Sequence, residues 1–106
     1  MRTITEENYE EFLENNERVV LDLWATWCVP CVYMDPIVEA LAEEFEGKIK
    51  FGKVNVEENK RIPSKFEVQS LPSILFIKNG DIKEKVTGKL DEQEFKDKLR
   101  QNFELS

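Results

Sequence analysis

The sequence predicts an α/β protein of three layers, a mixed β-sheet with helices on both faces. Two observations carry this. Apolar stretches that read as strands alternate with stretches of helical period. Near the C-terminus, two further strands meet across Asn79-Gly80, a hairpin turn. Strands separated by helices imply parallel pairs, and the hairpin adds an antiparallel edge. The expected order is α-β-α-β-α-β-β-α.

Each element has its own warrant. Thr5 is predicted as an N-cap, with Glu6 and Glu7 in the first turn and Tyr9, Phe12 and Leu13 at helical spacing. Residues 18–25, RVVLDLWA, are almost continuously apolar, as in a strand buried on both faces. From Cys31 to Glu46, the residues Ile37, Val38, Leu41, Ala42 and Phe45 mark a long amphipathic helix. Gly47 suits its C-terminal cap, and Pro36 should kink it. Residues 48–56, KIKFGKVNV, alternate as a strand, and Asn59 opens a short, poor helix through Ile62 and Phe66. Residues 73–88 are the hairpin. Asp91 and Glu94 resemble a capping box that opens a last helix, with Phe95, Leu99 and Phe103 on one side.

A chain of 106 residues is read as one domain, 1–106, able to bury a core without staples. Its net charge is −7, with 22 acidic against 15 basic residues and no basic stripe, so nucleic acid is not an expected partner. No run approaches the roughly 20 apolar residues of a membrane span. The N-terminus, MRTITEENYE, lacks the apolar stretch of a secretory signal. A cytoplasmic protein away from membranes is expected.

The only two cysteines are Cys28 and Cys31, inside WATWCVPCVYMDP. A C-x-x-C bridge closes a very short loop and constrains little of the unfolded chain, so stapling explains it poorly. The element order puts Cys28 just after a buried strand and at the mouth of the long helix. Active groups of open α/β sheets gather at this end of the strands. Unpaired N–H groups and the helix dipole favour a negative sulfur there. Lowering a thiol pKa from about 8.5 to about 7 raises the thiolate share at neutral pH from roughly 3% to roughly half. Cys31, one turn on, is close enough to resolve a mixed disulfide intramolecularly. Pro30 suits the first helical turn and stiffens the ring. Cys28 is expected as the exposed nucleophile and Cys31 as the buried resolving thiol. Half a zinc knuckle is the competing reading, but four ligands are wanted and the chain has no third cysteine and no histidine. No metal is expected, unless carboxylates or a bridged dimer complete a site.

At this point the residues resemble the thioredoxin family, and over nearly the whole chain. WATWCVPC is similar to the family's W-A-x-W-C-G-P-C signature. The similarity continues through Asp22, Pro36, Lys53 in FGKVNVEEN, SLPSILFIKNG and Gly88. The resemblance implies the thioredoxin fold and a general protein-disulfide reductase. It implies no cofactor beyond the redox-active Cys28–Cys31 disulfide, disulfide-containing protein substrates, and recharging by a thioredoxin-reductase-type enzyme. A monomer is expected. Two departures bear on the redox potential: Val29 stands where the family most often has glycine, and Val32 where lysine or arginine is common. Glutaredoxin-like coupling to glutathione remains a rival. So does a thioredoxin-fold binding or chaperone module with idle cysteines.

Further residues support this reading. Asp22 is a charge inside an apolar strand. It is either a solvent-facing carboxylate or, as the resemblance favours, a buried one with raised pKa that takes the Cys31 proton. Lys53, on the neighbouring strand, is its expected partner. Leu71-Pro72 precedes a strand, and the resemblance implies a cis Pro72 facing the cysteines, with the Leu71 backbone turned out to pair with an extended substrate. Trp27, Val29, Pro30, Leu71 and Gly88 are expected to form an apolar, sequence-tolerant patch for protein substrates.

Overall fold

The computed structural model describes residues 1–105. Its elements are β1 (Arg2–Thr3), α1 (Tyr9–Asn15), β2 (Arg18–Trp24), α2 (Val29–Glu44), β3 (Lys50–Asn55), α3 (Arg61–Lys65), β4 (Ser73–Lys78), β5 (Asp81–Thr87) and α4 (Glu92–Phe103). The five strands form one mixed sheet in the order β1-β3-β2-β4-β5. The β1–β3 and β2–β3 pairs are parallel; β2–β4 and β4–β5 are antiparallel.

β2 alternates between two cores, because successive side chains on a strand point to opposite faces. Val19, Leu21 and Leu23 join Phe12 of α1 and Ile62 of α3 in one cluster. Val20 joins Met34, Val38 and Leu41 of α2 and Phe95, Leu99 and Phe103 of α4 in the other. The sheet therefore lies between two helical layers, which is the predicted three-layer arrangement. Period two also sends Asp22 to the α2/α4 side, the same side as Val20.

Most local signals are realised. Asn79 and Gly80 both take positive φ, 52° and 82°, as a two-residue hairpin turn of type I′ requires. The capping box at α4 is complete: the Glu94 N–H donates to Asp91 Oδ1 at 2.8 Å, and the Asp91 N–H to Glu94 Oε1 at 3.2 Å. Gly47 (φ 84°) lies two residues beyond the C-cap of α2, Phe45.

Three elements differ from expectation. α1 is capped at Asn8, not Thr5. The Asn8 side chain reaches back to accept the Thr5 N–H at 2.8 Å, so residues 5–8 make a turn and the helix starts later. α2 begins at Val29, two residues earlier than its apolar pattern, because Cys28 itself is the N-cap; the helix continues through Pro36. An additional strand, β1, lies at the sheet edge. It is only two exposed residues long and carries no alternation to read. It is anchored by fully buried Ile4, whose N–H donates to the Lys53 carbonyl at 2.8 Å. Gly52 makes room for this approach, since a Cβ there would collide with the Ile4 side chain.

Candidate active site

Cys28 and Cys31 are joined in a disulfide at the junction of β2 and α2. Cys28 has extended backbone as the N-cap, and its Sγ accepts the Cys31 N–H at 3.3 Å. The Cys28 carbonyl accepts from Cys31 at 3.1 Å and Val32 at 3.3 Å, so the first turn of α2 closes on this residue. Pro30 lies in that turn, where an N–H has no intrahelical partner to lose. The Cys31 N–H is thus shared between the carbonyl and the sulfur of Cys28, and its place at the helix N-terminus favours negative charge on that sulfur.

Cys28 is not exposed, contrary to expectation: it retains 3% of its surface and Cys31 7%. The reason is packing from the end of β2 and from two distant segments. Trp24, Ala25, Val56 and Leu71 close over the two sulfurs as a small apolar cluster. What is open is the rim, where Trp27 is 67% and Val29 77% exposed. Val32 and Tyr33 extend this apolar surface along α2, and Lys89 Nζ lies 4.7 Å above the Tyr33 ring. Leu71, Pro30 and Gly88 are half-buried, whereas Pro72 is buried. The Leu71–Pro72 bond is cis, and the Pro72 carbonyl accepts the Gly88 N–H at 2.9 Å.

Asp22 is buried, with 5% of its surface exposed. Burial pushes its pKa from 3.8 up to about 7, an effect that Lys53 opposes and Asp35 reinforces. Lys53 is beside Asp22 in register across the β2–β3 ladder. Its ion pair, however, is with Asp35 of α2, and no ion pair reaches Asp22 among the described residues. Lys53 thus opposes the rise, as expected of the partner on the neighbouring strand, but it does so without an ion pair to Asp22, because its side chain leaves the sheet toward the overlying helix. Its Nζ also lies 5.1 Å from the centroid of the Trp24 ring.

Two site residues escaped the sequence reading. Asp35 carried a usable signal, since it follows Cys31 by four residues on one helix and shares its face. Glu57 carried none. Its Oε1 accepts both the N–H and the hydroxyl of Thr26, at 2.9 and 2.8 Å, tying the turn before Cys28 to the loop after β3. These bonds hold the Glu57 carboxyl below its ordinary range.

A helix-capping cysteine joined to a second one a turn later, at the carboxyl end of a central strand, defines a thiol–disulfide oxidoreductase. The thioredoxin family model matches residues 1–101. A thioredoxin of Chlorobaculum thiosulfatiphilum is 38% identical over 87 residues, 81% of each chain. One from Haemophilus influenzae is 36% identical over 101 residues, 94% of each. The M-type chloroplastic thioredoxin of Spinacia oleracea is 34% identical over 100 residues, 93% of this chain and 55% of the relative. The chain belongs to the thioredoxin family. It is a protein-disulfide oxidoreductase that works by dithiol–disulfide exchange through its Cys-Val-Pro-Cys motif. Members of this family act on disulfide substrates, are recharged by a reductase, and use no cofactor beyond the redox-active disulfide. No helix among the described residues is long and apolar enough to cross a membrane.

Proposed function

We propose that Cys28 is the attacking thiolate of this exchange, Cys31 the resolving thiol and Asp22 its proton acceptor. The observation that carries the assignment is the Cys31 N–H donated to Cys28 Sγ at the start of α2. In the reduced protein, Cys28 thiolate attacks one sulfur of a substrate disulfide. That S–S bond breaks, a mixed disulfide forms, and the first substrate thiolate leaves to be protonated by solvent. Cys31 then gives its proton to Asp22 and attacks the Cys28 sulfur. The second substrate thiolate departs and takes a proton from solvent, Asp22 releases the proton it accepted, and the Cys28–Cys31 disulfide closes. The substrate has gained two electrons and two protons.

Burial of Asp22 suits it to this role, because a carboxyl with pKa about 7 is both ionised and basic enough near neutrality to take a thiol proton. Lys53 supports the site by moderating that basicity. Trp27, Val29, Leu71 and Gly88 form the substrate surface, with Pro30 and Pro72 shaping its backbone. Covered sulfurs at an apolar rim favour a thin, extended substrate segment lying along Leu71, as in strand addition.

In this reading residues 1–106 work as one thioredoxin domain, monomeric and without a metal, recharged by a thioredoxin-reductase-type enzyme. The cytoplasm is the fitting compartment, since thiols there are kept reduced. The assay that tests the assignment is reduction of a protein disulfide by the native chain, Cys28→Ser and Cys31→Ser. A mixed disulfide that accumulates on Cys28 only in Cys31→Ser supports it. Accumulation on Cys31 in Cys28→Ser reverses it.

A further inference from the structure

Lys53 and Asp22 are neighbours in register, yet the lysine bonds elsewhere. Its Nζ donates to Asp35 Oδ1 across the gap between β3 and α2. Trp24 lies beside the same ammonium, 5.1 Å from ring centroid to Nζ, so the cation is held by two groups and neither is Asp22. The alternation that buries Phe51 beneath α2 puts Lys53 on that same side of β3, which is why Asp35 can reach it. A cation in direct contact favours the ionised form of a carboxyl; one drawn away does so less.

We propose that Asp35 is a positioning residue for proton transfer: by taking Lys53 as its own partner, it leaves the Asp22 carboxyl free of a contacting cation and competent to accept a proton. This rests on the reading of Asp22 as the acceptor for Cys31. The charged groups acting on Asp22 are Lys53 from β3 and Asp35 from α2. On the β4 side its partner in register is Ile74, which carries no charge. In the oxidised protein the cysteines do not titrate. The raised pKa of Asp22 agrees with this arrangement, since Asp35 contributes to the rise.

The test is an NMR titration of the Asp22 carboxyl carbon in the oxidised protein. The variants are Asp35→Asn, Lys53→Met and the double variant, each checked for native folding by its amide spectrum. In Asp35→Asn the Asp22 midpoint falls by about one pH unit, a tenfold loss of proton affinity, as Lys53 swings back. In the Lys53→Met background the same substitution produces less than half that fall, because only the direct repulsion of Asp35 is left to remove. An equal fall in both backgrounds, or none in the first, overturns the proposal. The pH profile of protein-disulfide turnover is measured alongside. If the Asp22 midpoint moves as stated and the kcat profile does not, the reading of Asp22 as acceptor falls while the capture of Lys53 stands.

Discussion

The backbone N–H of Cys31 points at the sulfur of Cys28 from 3.3 Å, so the first turn of α2 is capped by a cysteine sulfur in place of the usual hydroxyl or carboxylate. A hydrogen bond to a charged acceptor is stronger than one to a neutral acceptor, so the same contact favours the thiolate once the disulfide is reduced. In the reduced protein, Cys28 should therefore titrate below the ordinary thiol value of about 8.5. The ultraviolet absorbance of the thiolate, compared between the native chain and Cys28→Ser, measures this directly. A Cys28 midpoint at or above that value contradicts the capping role.

Asp22 links stability to pH. Its carboxyl ionises near 3.8 when solvated and near about 7 in the fold. Between those values the folded chain holds a proton that the unfolded chain has lost, so this group's contribution falls as pH rises and levels off above about 7. At about 1.4 kcal/mol per pH unit, the whole span is on the order of 4 kcal/mol. Asp22→Asn should abolish that component and be more stable than the native chain at pH 8, while turning over disulfides more slowly. Urea denaturation of the oxidised proteins at pH 5 and pH 8 checks it. Identical stability differences at both pH values count against the buried titration.

Glu57 holds the turn that leads into Cys28 by accepting two bonds from Thr26. Glu57→Ala should speed hydrogen exchange at the Thr26 amide by roughly tenfold, as expected when a backbone donor loses its partner. Thr26→Val, which keeps the N–H bond but lacks the hydroxyl, should show a smaller change. Equal exchange in all three proteins would show that the turn is held by its own backbone.

Trp27 projects from the rim with two-thirds of its surface exposed. Trp27→Ala should lower kcat/KM for a protein disulfide by about tenfold more than for a small disulfide, the discrimination expected of an aromatic anchor worth 1–2 kcal/mol. Thermal stability should change little, because the indole contributes little to the core. Parallel losses for both substrates would remove Trp27 from the docking surface.

The capping box of α4 stands apart from the chemistry. Asp91→Ala removes a side-chain acceptor from the Glu94 N–H and should destabilise the fold by about 1 kcal/mol. Denaturant midpoints measure this, with disulfide turnover as the control.

What the chain declared in its sequence were the features whose interactions lie within a few residues. The Asn79-Gly80 turn, the Asp91–Glu94 box and the placement of Cys28 and Cys31 at a strand–helix junction are all of this kind. Their hydrogen bonds connect neighbours in the chain, so residue type and spacing suffice. The near-continuous apolar run of 18–25 and the helical spacing of apolar residues after it likewise announced the layers, because a strand buried on two faces and a helix buried on one each leave their own pattern.

Tertiary structure alone decided the partners of groups that meet from afar. Lys53 could have faced Asp22 across the ladder, but α2 presents Asp35 from 18 residues away and takes it. Cys28 loses its predicted exposure because Val56 and Leu71 arrive from other segments to cover it. Such choices depend on which side chains the packed layers bring within contact, and ion pairing and burial act through space, so spacing along the chain carries no record of them.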